Sequence, residues 1–220
     1  MNISKHIDYT LLKATTTERE IIDLCHIAKK HNVNGICINS SYVSLAKELL
    51  ENTAIKVSAV VGFPLGATAT DVKVYEAKKA IADGADEIDM VMNLGYLKSK
   101  NYVSVLKDIS DVRFAIGATP LKVVLEISEL SKNEVIKASE ICLDTNADFI
   151  KTSSGFTKSG ATFTSVKMIK KTVKDQIKII ASGGIEDMET AIKFLQAGVN
   201  RINTASLILQ EQQTAILTRS

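Results

Sequence analysis

The segment "ADFIKTSSGF", residues 147–156, decides how the rest of the chain is read. A short apolar run of strand character, Phe149 and Ile150, closes on Lys151 and gives way at once to Thr152, Ser153, Ser154 and Gly155. Lysine is rarely buried unless it is paired. A lysine ending a strand that should be buried therefore needs a chemical reason.

Working outward, runs of the same kind recur: "NGICIN", "IKVSAVVGF", "DEIDMVMN", "LKVVLEIS", "IKIIASGG" and "NRINTAS". Counting "ADFIKTS" among them, their starts lie roughly 20 to 35 residues apart, the length of one βα unit. Helical patterns fill the gaps. Thr17 with Glu20 forms a capping-box pair, after which Ile21, Leu24, Cys25 and Ala28 share one face. Ser131 and Glu134 repeat that signature ahead of Val135, Ala138, Ile141 and Cys142. The helix-to-strand joints "HNVNGI", "DGADEI", "TNADFI" and "AGVNRI" each place a turn residue before an apolar strand. An eighth strand is expected at "HIDYTL". Eight such units predict an α/β fold, a single-domain (β/α)8 TIM barrel over residues 1–220, in which the site occupies the C-terminal rim. A doubly wound sheet would commonly carry a glycine-rich first turn; here "DYTLLKATTT" and "NSSYV" contain no glycine.

The chain has 220 residues, 45% hydrophobic and 24% charged, with a formal net charge of +2. That balance provides no basic field for nucleic acid and no cationic run for a membrane surface. The most apolar stretch, "VSAVVGFPLGA", is about half the roughly 20 residues of a membrane span. The start "MNISKHIDYT" has no apolar core of an export signal. Cys25, Cys37 and Cys142 show no CxxC pairing, which suits reduced thiols and a cytoplasmic protein. His6, His26 and His31 lack metal-ligand spacing.

Alternation along barrel strands sends every second side chain inward. Glu87, Asp89 and Val91 share one face, as do Lys122, Val124 and Glu126, and as do Phe149 and Lys151. The opposite faces carry Ile88, Met90, Val123, Leu125 and Ile150, which suit packing under helices. The charged parity is the barrel interior. This is either a structural ion-pair network or an active site built from Asp89, Lys122 and Lys151, with Asp8 at the end of the first strand. A dry lysine beside a second cation favours the neutral amine, which can attack a carbonyl to form an imine. At an unperturbed pKa, only ~0.04% of a lysine is neutral at pH 7. Lys151 is therefore expected to have a depressed pKa, with Lys122 as the like charge. The "ASGGI" turn, residues 181–185, follows the next strand, where barrels commonly hold phosphate.

These segments resemble the deoxyribose-phosphate aldolase family nearly end to end, through "HIDYTLLK", "GICINSSYV", "VVGFPLGA", "GADEIDMVMN", "LKVVLE", "ADFIKTSSGF" and "ASGGI". The resemblance implies a (β/α)8 class I aldolase of deoxyribonucleotide and carbohydrate degradation. Such an enzyme cleaves 2-deoxyribose 5-phosphate to acetaldehyde and glyceraldehyde 3-phosphate, uses no metal or organic cofactor, and is expected as a homo-oligomer, a dimer. It places the Schiff base on Lys151 and the proton relay on Asp89, with Lys122 as a further catalytic residue. Substrate binding falls to Asp8, Cys37, Ser154, Gly155, Gly183, Gly184 and Ser206. Four positions depart from the family pattern. Ile180 stands where a second lysine is usual, and Glu186 where arginine is common. Asn203 replaces a glycine and Ala205 a serine. Lys178 lies on the face of Ile180, two residues earlier. These departures leave two other readings: a Schiff-base aldolase with an altered substrate, and a sugar-phosphate-binding barrel with weakened catalysis.

Overall fold

The computed structural model describes residues 2–206; positions 1 and 207–220 of the expected domain lie outside the described residues. The strands are β1 (Ile7–Leu11), β2 (Gly35–Ile38), β3 (Lys56–Val61), β4 (Glu87–Val91), β5 (Leu121–Val124), β6 (Phe149–Lys151), β7 (Lys178–Ser182) and β8 (Arg201–Thr204). Each pairs in parallel with the next, and β8 returns to β1, closing a single (β/α)8 barrel. Between them run α1 (Glu18–His31), α2 (Val43–Leu49), α3 (Thr70–Ala82), α4 (Leu94–Lys98), α5 (Tyr102–Ile116), α6 (Lys132–Asp144), α7 (Phe163–Val173) and α8 (Met188–Gln196).

Local chemistry explains the repeat. Helix α1 starts where Thr17 accepts from the Glu20 amide while the Glu20 carboxylate accepts from the Thr17 amide at 2.8 Å. Ser131 and Glu134 do the same for α6. The four joints share a second device. Asn32, Gly84, Asn146 and Gly198 all have positive φ, between 49° and 106°. That left-handed residue ends each helix and turns the chain down into the next strand, at little cost for glycine and tolerably for asparagine. The following polar residue then ties the barrel floor. Asp86 accepts from the Val57 amide at 2.9 Å, Asp148 from the Leu121 amide at 2.8 Å, and Asn200 from the Ile179 amide at 2.8 Å.

The apolar core lies between the outer faces of the strands and the helices. Ile88, Met90, Val123, Leu125 and Ile150 are buried there against helix residues such as Ile21, Leu24, Val135 and Ile141. Full burial of one such side chain contributes about 2 kcal/mol. The barrel interior is different: Asp8, Ser58, Asp89, Lys122 and Lys151 are all 0% exposed. Among the described residues no helix is long and apolar enough to cross a membrane.

Candidate active site

Lys151 ends β6 in register with Val124 of β5 and Ile180 of β7, so its side chain enters the barrel. Its Nζ donates to Asp89 Oδ2 at 2.8 Å and lies 3.9 Å from Cys37 Sγ. Asn203, with its amide turned to satisfy both neighbours, accepts from Lys151 Nζ at 3.0 Å and donates to Asp8 Oδ2 at 3.2 Å. Cys37 Sγ donates to the same Asp89 oxygen at 3.3 Å. Asp89 Oδ1 is buried without a hydrogen-bond partner among the described residues, an acceptor complementary to a substrate hydroxyl or a water.

Lys122 forms the second half of the network. Its three N–H groups meet three acceptors: Asp8 Oδ2 at 3.2 Å, Glu87 Oε2 at 2.7 Å and Ser58 Oγ at 2.7 Å. Arg201 holds both Glu87 oxygens, at 3.0 and 2.9 Å, from below. Two ion-pair systems, Lys122–Asp8–Glu87–Arg201 and Lys151–Asp89, therefore meet through the Asn203 amide.

The electrostatics correct two expectations. Burial pulls the Lys151 pKa down, but the charge and hydrogen bond of the Asp89 carboxylate lead the contributions that outweigh it, so the net shift is upward. Lys122 works the other way and is the smallest of the contributors, because its own carboxylates neutralise it. Burial likewise lowers Lys122, and Asp8 and Glu87 more than reverse it. Ile180, fully buried beside Lys151, adds no cation. Lys178 is exposed at the foot of β7, 5.5 Å over the Phe149 ring, far from the amine's layer. Burial pushes the Cys37 thiol up to about 12, so it stays protonated. Asn203, one of the four departures from the family pattern, lines the mouth and sends its amide down to Lys151 and Asp8.

Glu87 gives a stability test. Burial opposes ionisation, but Lys122 and Arg201 hold its carboxyl at about 2, against the ordinary 4.5. A depressed folded pKa means stabilisation that is complete above pH 4.5 and lost as pH falls towards 2. Glu87→Gln leaves both cations facing a neutral amide and is expected to cost about 3–5 kcal/mol. Denaturant melts at pH 7 and pH 3 are expected to show a steep acid loss in the parent protein and a flatter one in the variant.

Above this layer opens a cavity of about 320 Å³, framed by the C-terminal ends of β1, β6, β7 and β8. Ser154, Gly155, Gly183, Gly184 and Ser206 all line it, together with Lys13, Glu186 and Ala205. Asp8 and Cys37 lie below it, in the buried layer. Gly183 and Gly184 have φ of 87° and 71°, a turn whose successive amides suit an anion. The loop is braced beneath: Thr152 Oγ1 accepts from the Ser182 amide and donates to the Ser182 carbonyl, each at 3.0 Å. Leu12, which also lines the cavity, packs with Cys37, Val60 and Phe63 into a small apolar cluster.

Fold and site together define a barrel enzyme with a buried lysine–carboxylate pair under its C-terminal rim. A family model described as DeoC/LacD family aldolase matches residues 4–202. The deoxyribose-phosphate aldolase of Finegoldia magna is 48% identical over 206 residues, covering 94% of this chain and 97% of that one. That of Histophilus somni is 46% identical over 205 residues, covering 93% and 92%. Among solved structures, "QR15, an Aldolase" matches with a TM-score of 0.91 at 38% identity over 98% of each chain. The tetrameric deoxyribose phosphate aldolase of Aeropyrum pernix matches with a TM-score of 0.87 at 27% identity, covering 97% and 92%. The chain belongs to the DeoC/LacD aldolase family, and its reaction class is that of a lyase.

Proposed function

We propose that the protein is a class I aldolase that cleaves 2-deoxy-D-ribose 5-phosphate to acetaldehyde and D-glyceraldehyde 3-phosphate through an imine on Lys151. The observation that carries the reading is the Lys151 amine itself, fully buried and held by Asp89 Oδ2 and Asn203 under the cavity. The relatives' names support the substrate.

The steps follow from this geometry. Lys151 gives a proton to Asp89 or to water, and the neutral amine attacks the C1 aldehyde of the open-chain sugar. The carbinolamine takes a proton on its hydroxyl, loses water and becomes an iminium. A base, Asp89 through its free Oδ1 or a water, then removes the C3 hydroxyl proton. The C2–C3 bonding electrons flow into the iminium, releasing glyceraldehyde 3-phosphate and leaving an enamine. Protonation at C2 and hydrolysis of the imine free acetaldehyde and restore the amine. The apolar Leu12 side chain in the cavity lining suits a C2 that bears no hydroxyl, since it offers such a group no acceptor. Lys122, with all three N–H groups engaged, serves as a fixed cation that holds Asp8 in place.

The phosphate is assigned to the turn at Gly183 and Gly184, with Ser154, Gly155 and Ser206 around it and Lys13 at the rim. A second reading, an aldolase for an unphosphorylated aldehyde, is favoured by Glu186, an exposed carboxylate on the same rim. The two differ in one test. Glu186→Arg is expected to lower KM for the phosphorylated sugar roughly three- to tenfold, as a charge reversal at a wet rim allows, and to leave 2-deoxyribose unchanged. An equal response of both substrates would move the phosphate site elsewhere. Turnover of 2-deoxyribose 5-phosphate, followed by the glyceraldehyde 3-phosphate formed, tests the activity itself; cleavage of the unphosphorylated sugar at least as fast would favour the second reading. We further infer a cytoplasmic homo-oligomer, a dimer in its simplest form, since a sugar phosphate does not cross membranes unaided; light scattering in solution reads the assembly.

A further inference from the structure

Glu126 is a buried carboxylate that none of these steps uses. It lies two residues beyond β5, is 2% exposed, and sits in the left-handed region at φ 55° and ψ 61°. A non-glycine residue persists there when its surroundings over-determine it. The surroundings are one loop. Glu126 Oε2 accepts from the Ser154 amide at 3.1 Å and from the Ser154 hydroxyl, while Oε1 accepts from Thr157 Oγ1 at 2.8 Å. The hydroxyl protons are consistent throughout. Ser154 Oγ donates to Glu126 and accepts from the Phe156 amide at 3.1 Å. Thr157 Oγ1 donates to Glu126 and is left to accept from Ser128 Oγ at 2.7 Å.

Hydrogen bonds to an ionised acceptor are about twice as strong as neutral ones, so these three fix the loop firmly. What they fix is one segment of the cavity wall. Ser154, Gly155 and Phe156 line the same cavity as Gly183, Gly184 and Ser206, and Phe156 meets the Phe63 ring edge-on at 5.1 Å. Lys151 lies below, held by separate partners on β4 and β8. We propose that Glu126 is a positioning residue for the anionic end of the substrate: it holds the Ser154–Phe156 wall against the Gly183–Gly184 turn and thereby sets the preference for a phosphorylated sugar. This rests on the aldolase reading for its substrate, and not for the geometry of the loop.

The test uses Glu126→Gln and Thr157→Val, the second at an exposed position where folding is not at stake. An amide at 126 turns an NH2 group towards a donor that the carboxylate accepted. For Glu126→Gln, KM for 2-deoxyribose 5-phosphate is expected to rise about tenfold. The ratio of kcat/KM between the phosphorylated and unphosphorylated sugars is expected to fall by a similar factor. Trapping of acetaldehyde on Lys151 by borohydride is expected to fall at most threefold. Thr157→Val is expected to move the ratio the same way, about threefold. The calorimetric Kd of glycerol 3-phosphate, an anion with no carbonyl, is expected to rise in proportion. An unchanged ratio and Kd in both variants overturns the proposal, as does a loss of trapping as large as the loss in kcat/KM. If Glu126→Gln does not fold, Thr157→Val decides alone by the same criteria. Failure of the parent protein to label at Lys151 would instead overturn the imine chemistry, and the glycerol 3-phosphate Kd would still judge Glu126.

Discussion

Lys151→Met is expected to abolish cleavage, with turnover down about 10⁴-fold or more, the scale of losing a covalent nucleophile. Among the described residues, neither Lys122 nor Lys178 is placed to substitute. The Lys122 ammonium has all three N–H groups committed to Asp8, Glu87 and Ser58, and Lys178 sits exposed at the opposite end of β7. Methionine keeps the side chain's length but leaves the buried Asp89 carboxylate without its cation. Stability is therefore expected to fall by about 3 kcal/mol, the lower end of the cost of breaking a buried pair. Turnover within tenfold of the parent, measured on protein whose melt shows that it is folded, would remove Lys151 from the chemistry.

Asp89→Asn is expected to separate two functions that its carboxylate combines. Carbon–carbon cleavage needs a proton acceptor, so turnover should drop about 10²–10⁴-fold. Imine formation should respond differently. Burial lowers the Lys151 pKa and Asp89 is the chief contributor raising it, so an amide at 89 lets burial dominate. More of the amine is then neutral near pH 7. In the parent protein, imine formation is expected to climb with pH through neutrality and beyond, since the ammonium is stabilised. In the variant that rise should begin at least one pH unit lower. Rates of acetaldehyde trapping against pH check this beside the turnover numbers. Equal losses in both, with an unmoved profile, would make Asp89 a structural counterion only.

Much of the barrel is legible in the sequence because its determinants are local. The strand starts follow from β-branched runs, the helix starts from Thr17 with Glu20 and Ser131 with Glu134, and the turns from Asn32, Gly84, Asn146 and Gly198. Strand parity alone also puts Asp89, Lys122 and Lys151 inside. How these charges pair is not local. Lys122 on β5 reaches Asp8 on β1 across the barrel, and Arg201 on β8 reaches Glu87 on β4, contacts set by closure and stagger. For that reason Lys122 reads in sequence as a like charge acting on Lys151, whereas in the fold it is enclosed by carboxylates. Asn203 carried a usable signal: it alternates with Arg201 on β8 and lies in register with Asp8, which puts its amide in the charged layer. Glu126 shares the inward parity of Lys122, but its role depends on the β6 loop folding back across β5, which no spacing within either segment reveals.

One measurement bears most directly on the imine at Lys151: borohydride reduction of the protein in the presence of 2-deoxyribose 5-phosphate, followed by peptide mass mapping. The expected result is a single modified residue, Lys151, carrying the reduced carbon skeleton of the substrate or of acetaldehyde, and no label without borohydride. Label on Lys122, Lys178 or Lys13, or none on protein that turns over the sugar, would contradict it.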